Sequence, residues 1–304
     1  MPTKQRFRIR NWRDYNEALV QRGSITFWFD KKSIFQWHNS TRTKRRGRPR
    51  LYTDMAIQCA LTLREIYHLP LRGTEGLVKG LICQLGLPLK APDCTTLCIR
   101  QKELGIFLPK SHKKISRGLH IVVDATGLKI FGEGEWKVRQ HGCTKRCTWR
   151  KVHLAVSVEA QEIEAAVITT NDFKDSELLP DLLEQIKDPI AQLSGDGSYD
   201  SHANNQLLGD KSIHAVIPPR KDACIAQHGN CTASPLQRDE VIRAIRQQGR
   251  RLWKIGNDYH KRSLAETAIF RLKTIFSPNL RARLFENQAI EALLRCRALN
   301  LMTQ

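Results

Sequence analysis

The chain has 304 residues, of which 41% are hydrophobic and 26% charged, and its formal net charge is +20. That balance fits a soluble globular protein with room for about two domains. No run approaches the ~18–20 unbroken apolar residues of a membrane span, and the start MPTKQRFRIRNW lacks a signal peptide's apolar core, so a cytoplasmic protein without a membrane partner is expected.

The charge is unevenly placed. Residues 1–118 hold 24 Lys and Arg against 8 Asp and Glu, a balance of +16; the remaining residues hold 26 against 22, a balance of +4. A basic front half suits a polyanion, most often nucleic acid, and a nucleoid-associated location follows. Among the nine cysteines, Cys94/Cys98 and Cys143/Cys147 are spaced by four and Cys224/Cys231 by seven, with no CxxC pair. Neither a disulfide framework nor a structural zinc is expected.

Residues 1–51 read as a basic, aromatic-containing arm. Asn11–Arg22 suits a short helix, and Phe27, Trp28, Phe29, Phe35 and Trp37 make an aromatic segment that must dock. Arg46-Gly47-Arg48-Pro49-Arg50 resembles the core of an AT-hook. Pro extends the backbone, Gly lets it approach closely, and the arginines suit a narrow minor groove. A solvated basic linker touching only phosphates is the plainer alternative.

Residues 52–118 read as a small all-α DNA-binding domain and a linker. Thr53 caps a helix with Ile57, Ala60, Leu61 and Ile66 inward. A second helix runs near Thr74–Leu85, and a third, capped by Asp93 or Thr95, reaches about Leu104. Short helix, broken turn and polar-faced helix form a helix-turn-helix pattern, which would carry Arg100 and Lys102 to the major groove. A helical bundle without base contacts fits the same periodicity. Residues 106–118 form the linker.

The pattern changes at 119. Leu119–Asp124 is a β-branched apolar run ending in an acid and reads as a buried strand. Ala125–Phe131, Lys151–Val158 and Glu162–Thr170 suit further strands, and Trp136–Trp149 a basic, aromatic-bounded connection. Asp175–Ile186 follows as a helix, Ala191–Asp196 as a short strand ending in an acid, Ser201–Leu208 as a helix and Ala215–Ile217 as a strand. An inserted segment near 220–250 holds a helix, Leu236–Gln248. Tyr259–Lys273 and Asn287–Leu301 complete an α/β order for residues 119–304.

The chemistry gathers on Tyr259–Lys273, read as one helix. At 100° per residue Tyr259, Arg262, Glu266 and Lys273 share a stripe, with Leu264, Ala265, Ala268, Ile269 and Leu272 roughly opposite. Alone, this describes an amphipathic helix with an Arg262–Glu266 pair. Asp124 and Asp196, however, each end an apolar strand, where α/β sheets gather their sites. Three carboxylates converging among bases repel one another unless a cation stands between them. Hard oxygen ligands suit Mg²⁺ or Mn²⁺, and two such ions can drive phosphodiester displacement.

These motifs resemble the bacterial insertion-sequence transposases of the DDE type, in the IS-five-like family. That family's signature is Tyr, two residues, Arg, three residues, Glu, six residues, Lys, met without a gap by Tyr259, Arg262, Glu266 and Lys273. VVDATGLKI and GDGSYDS match its acidic contexts at Asp124 and Asp196. The resemblance implies an RNase H-like mixed sheet flanked by helices, with Asp124, Asp196 and Glu266 as catalytic residues and ligands of two Mg²⁺ (or Mn²⁺) ions. It implies DNA contacts from Tyr259, Arg262 and Lys273. It also implies hydrolysis at the terminal inverted repeats of an insertion sequence, 3′-hydroxyl attack on target DNA, and a homodimer or larger synaptic complex. An RNase H-like nuclease or resolvase without strand transfer, and an inactive DNA-binding regulator, are the alternatives.

Overall fold

In the computed structural model, residues 11–24, 29, 31–39, 49–109, 118–130, 149–220, 222–227 and 236–303 are described. The chain divides into two units, Met1–Gly105 and Ile106–Gln304. No helix among the described residues is long and apolar enough to cross a membrane.

In the first unit, helices α1 (Trp12–Gln21) and α2 (Lys31–Phe35) precede three longer-range packed helices, α3 (Asp54–Ile66), α4 (Leu71–Gln84) and α5 (Cys94–Gln101). Thr53 caps α3 through the Ala56 N–H at 3.1 Å, and Asp93, rather than Thr95, caps α5 through the Thr96 N–H at 2.6 Å. Of the aromatic segment, Phe29 and Trp37 dock here, Phe35 is exposed, and Phe27 and Trp28 lie outside the described residues. Trp37 is fully buried, stacks edge-on against Phe29 with ring centroids 5.3 Å apart, and donates its indole N–H to the Lys90 carbonyl.

One expected DNA contact is corrected. Arg100 is buried, donating to the Tyr52 carbonyl at 2.9 Å and pairing with Asp54. Its guanidinium ties α5 to the start of α3 and is not presented to a groove, because an unpaired guanidinium cannot be left inside a small core. Lys102 at the end of α5 is exposed, and Arg50 pairs with Glu103 on the surface. Arg46 and Arg48 lie outside the described residues, as does most of the Trp136–Trp149 connection.

The second unit is built on β1 (Leu119–Ile130), which does not stop at its acid: one strand of 12 residues replaces the two expected. β2 (Trp149–Ser157) pairs antiparallel along it, and β3 (Ile163–Thr169) pairs antiparallel with β2. After a 3₁₀ turn (Asp175–Leu178) and α6 (Leu179–Glu184), β4 (Ile190–Ser194) returns parallel to β1. A second 3₁₀ turn (Gly197–Tyr199) and α7 (His202–Asp210) lead to β5 (His214–Val216), parallel to β4. Then come α8 (Gln237–Gln248), α9 (Arg250–Gly256), a third 3₁₀ turn (Tyr259–Arg262), α10 (Ser263–Phe276), β6 (Asn279–Leu280) and α11 (Phe285–Leu301).

Among the described residues the sheet order is β3-β2-β1-β4-β5, with β6 pairing parallel to the far end of β1. The result is a mixed sheet flanked by helices, the α/β order expected for residues 119–304. One face buries Leu119, Ile121, Val123, Ala155 and Ala165 under Leu179, Leu182, Leu183, Tyr199 and Leu208. α10 packs against β1 and β2, and α11 against β3.

Polar groups wire α11 into the sheet. Glu291 and Arg295, both essentially unexposed, pair at 2.5 Å; Glu291 also accepts the Arg281 and Ala282 N–H groups, and Arg295 donates to the Ser277 and Asn279 carbonyls. They thereby hold the loop that carries β6. The Asn300 amide accepts from the Ile163 N–H and donates to the Ile163 carbonyl, each at 2.8 Å.

Candidate active site

β1 is paired to β4 only over Leu119–Val122 and to β6 only at Lys129 and Ile130. Between these contacts, Val123–Leu128 has no strand on that edge among the described residues. Asp124 sits in this opening, at mid-strand and not at a strand end as its apolar run suggests. The last β1–β4 pairing joins Val122 to Ser194. Two residues further along each chain stand Asp124 and Asp196, so parallel register alone brings these two acids to the same opening. Val123 faces the core under α6; Asp124, by the alternation of a strand, faces the α10 side.

Asp196 is held by its own turn. Its Oδ1 accepts from the Ser198 N–H at 2.9 Å and from the Ser198 hydroxyl. Beneath it, Gly195 is closely packed: a Cβ there would stand 3.0 Å from Val123 Cγ2 and 3.1 Å from Tyr199 Cδ2, so one of these side chains would have to give by a few tenths of an ångström. Asp200, buried just past the turn, is gripped by both sides of the Arg238 guanidinium, at 2.8 and 3.2 Å, and accepts the Arg220 N–H. The loop of Asp196 is thus anchored to the first turn of α8. Nothing in the local sequence pairs Asp200 with a residue 38 positions away.

The signature stripe is not one helix. Asp258 adopts a left-handed conformation (φ 54°), the 3₁₀ turn follows, and the α-helix begins only at Ser263. The break leaves the side-chain stripe intact. Arg262 approaches Asp124 Oδ2 at 3.5 Å and pairs with Glu266 through its other nitrogen. Asp124 and Arg262 are largely covered, at 19% and 22% side-chain exposure, whereas Glu266 is open at 54%. The Tyr259 ring lies between cations, with Lys254 Nζ 4.7 Å and the Arg262 guanidinium 6.0 Å from its centroid. Lys273 is half-buried two turns beyond Glu266, with the exposed Phe270 between them on the same stripe.

Asp124 feels the charges around it. Burial pushes the Asp124 carboxyl above the usual carboxylate range; the Ala125 N–H and Arg262 oppose this, while Asp196 and Glu266 add to it. Burial likewise raises the Tyr259 phenol, Arg262 opposing and all three acids adding. Asp124 and Tyr259 thus both lie within electrostatic reach of Asp196, Glu266 and Arg262. The cation between Asp124 and Glu266 is Arg262. Among the described residues no group of three or more His, Cys, Asp or Glu side chains is arranged to hold a metal ion. The two carboxylates that meet Arg262 offer hard oxygen donors, the type a divalent cation takes.

The helix α9 escaped the sequence reading, which left Gly249–Asp258 unassigned. It starts directly behind an elbow at Gly249 (φ 84°) and buries Trp253.

A family model described as "Transposase DDE domain" matches residues 115–301, and a second model of the same description matches residues 20–133. Among solved structures, a chain of the Drosophila P element transposase strand transfer complex is similar over 87% of this chain at 12% identity, with a TM-score of 0.31. The match covers 64% of that chain, so this protein spans less than two thirds of its length.

Proposed function

As the chain belongs to the transposase DDE domain family, we propose that it is a DNA transposase. In this reading it binds the terminal inverted repeats of a mobile element, cleaves them by divalent-metal-dependent hydrolysis and joins the freed 3′-hydroxyl to target DNA. The family carries divalent metal dependence; two Mg²⁺ or Mn²⁺ ions are the finer proposal, with Asp124, Asp196 and Glu266 as their ligands. The observation that carries the assignment to these residues is the junction of Arg262 with both Asp124 and Glu266 inside the electrostatic reach of Asp196.

Bound at these carboxylates, the metal supplies Lewis-acid activation of water or hydroxyl and neutralises charge on the phosphodiester. The chain's own groups do the rest. Ser198 and the Arg238–Asp200 grip hold the turn that carries Asp196. Arg262 holds the place of a cation between Asp124 and Glu266, and when DNA enters, its guanidinium is drawn to a phosphate, for which its bidentate fork is suited. Tyr259 and Lys273 flank Glu266 and fix the DNA strand on either side of it. Both chemical steps are in-line displacements, so one carboxylate set serves for hydrolysis and joining. Copies of the chain assemble as a dimer or larger synaptic complex holding both element ends.

The test is a pair of charge-removing variants, Asp124→Asn and Glu266→Gln, assayed with end-bearing duplexes and Mn²⁺. Cleavage and strand transfer are both lost while duplex binding stays near wild type. Retained cleavage in either variant refutes the assignment. Cleavage by the wild type without any strand transfer marks a nuclease instead.

A further inference from the structure

Resting on the transposase reading, we propose that the elbow formed by α8 and α9 is a second DNA-binding surface. It takes the sugar-phosphate backbone of duplex DNA next to the strand held at Glu266. Val241–Asn257 holds five cations (Arg243, Arg246, Arg250, Arg251 and Lys254) and no acid across 17 residues. Two of the five are already engaged: Arg243 pairs with Glu240, and Arg250 donates to the Pro219 carbonyl. Arg246 and Arg251 are exposed, and neither has a carboxylate partner among the described residues.

The faces of α9 divide the work. Trp253 is buried and packs toward the Tyr259 ring, with centroids 6.4 Å apart. At 100° per residue, the outward arc opposite Trp253 runs from Lys254 through Arg251 and Ile255 to Leu252. Leu252 and Ile255 are 59% and 61% exposed and neighbour each other on that arc. A face cationic along one side and aliphatic along the other matches a groove wall, where phosphates alternate with apolar deoxyribose. Charge complementarity selects DNA over a second protein, because a face on which Arg246 and Arg251 stand exposed without a carboxylate partner among the described residues would meet another copy of the same basic chain with repulsion. Lys254, over the Tyr259 ring at 4.7 Å, joins this surface to the signature stripe, so one duplex can run along both.

The test uses the full chain with the paired variant Arg246→Gln/Arg251→Gln, and separately Leu252→Ser/Ile255→Ser. The readouts are fluorescence anisotropy on a labelled mixed-sequence duplex at several salt concentrations, melting temperature and solution mass. The double Gln variant melts with the wild type, binds the duplex about tenfold more weakly at low salt, and has a log K against log[salt] slope shallower by about 2. Affinity and slope equal to wild type overturn the surface. Unchanged duplex binding with a fall in solution mass for the double Ser variant also overturns it, by assigning the face to a protein contact. Wild-type cleavage of end-bearing DNA is measured in parallel. Its absence defeats the transposase reading, whereas wild-type cleavage with an unaltered salt slope in the double Gln variant defeats this surface alone.

Discussion

Replacing Arg262 with Gln probes the centre of the site most directly. At 3.5 Å from Asp124, opposite unit charges attract by about 5 kcal/mol in an effective dielectric near 20. Desolvation of the guanidinium and the freezing of its long side chain cancel most of this, leaving about 1–2 kcal/mol of net stabilisation for a pair only a fifth exposed. Without metal, the Gln variant therefore melts about 2–8 °C lower, given the usual scaling for a domain of some 200 residues. The sign reverses with a divalent cation. The wild type must give up its guanidinium contacts before a metal can sit between Asp124 and Glu266, and the variant need not. A difference of about 1.4 kcal/mol is tenfold in affinity, so the variant binds Mn²⁺ about tenfold more tightly and gains more melting temperature from it. Differential scanning fluorimetry in EDTA and across a Mn²⁺ titration reads both effects. A variant that melts with the wild type in EDTA and gains no more from Mn²⁺ refutes the idea that Arg262 stands in for the cation.

Three further outcomes are expected. Asp124 has a folded-state pKa raised above its unfolded value, so its ionisation costs stability as pH climbs from about 4 through the raised value. Asp124→Asn in EDTA should match wild-type melting in acid and exceed it at neutral pH; a gap independent of pH contradicts this. Glu291→Gln leaves the Arg295 charge buried without its partner and should cost about 3–5 kcal/mol in urea unfolding, against a near-neutral effect if the pair were superficial. Gly195→Ala forces Val123 or the Tyr199 ring to move. It should weaken Mn²⁺ binding by more than its modest loss of melting temperature explains, and equal loss in both readouts would make Gly195 purely structural.

The site was more legible in the sequence than the scaffold that aims it. A stripe at helical spacing survives a change from 3₁₀ to α geometry, so Tyr259, Arg262 and Glu266 are grouped correctly although the element breaks at Ser263. The two acids after apolar runs are likewise found, because parallel register brings Asp124 and Asp196 level whether or not β1 continues. What sequence patterns miss are partners set by tertiary contact. Arg100 reads as a recognition-helix cation, yet Asp54 and the Tyr52 carbonyl, 46 and 48 residues earlier, turn it inward. Arg238 reads as one more charge on an inserted helix and is in fact the clamp on the Asp196 loop. α9 is short, and its exposed Leu252 and Ile255 blur the apolar stripe by which a helix is recognised.

Asn300 closes one end of the sheet edge at β3. Its amide satisfies both backbone groups of Ile163, imitating one rung of a neighbouring strand at the outer margin of β3. A rung already filled by a side chain blocks an incoming strand at the start of β3 and so prevents sheets from fusing there. In the synaptic complex proposed above, that first rung would therefore be closed to a strand from another copy.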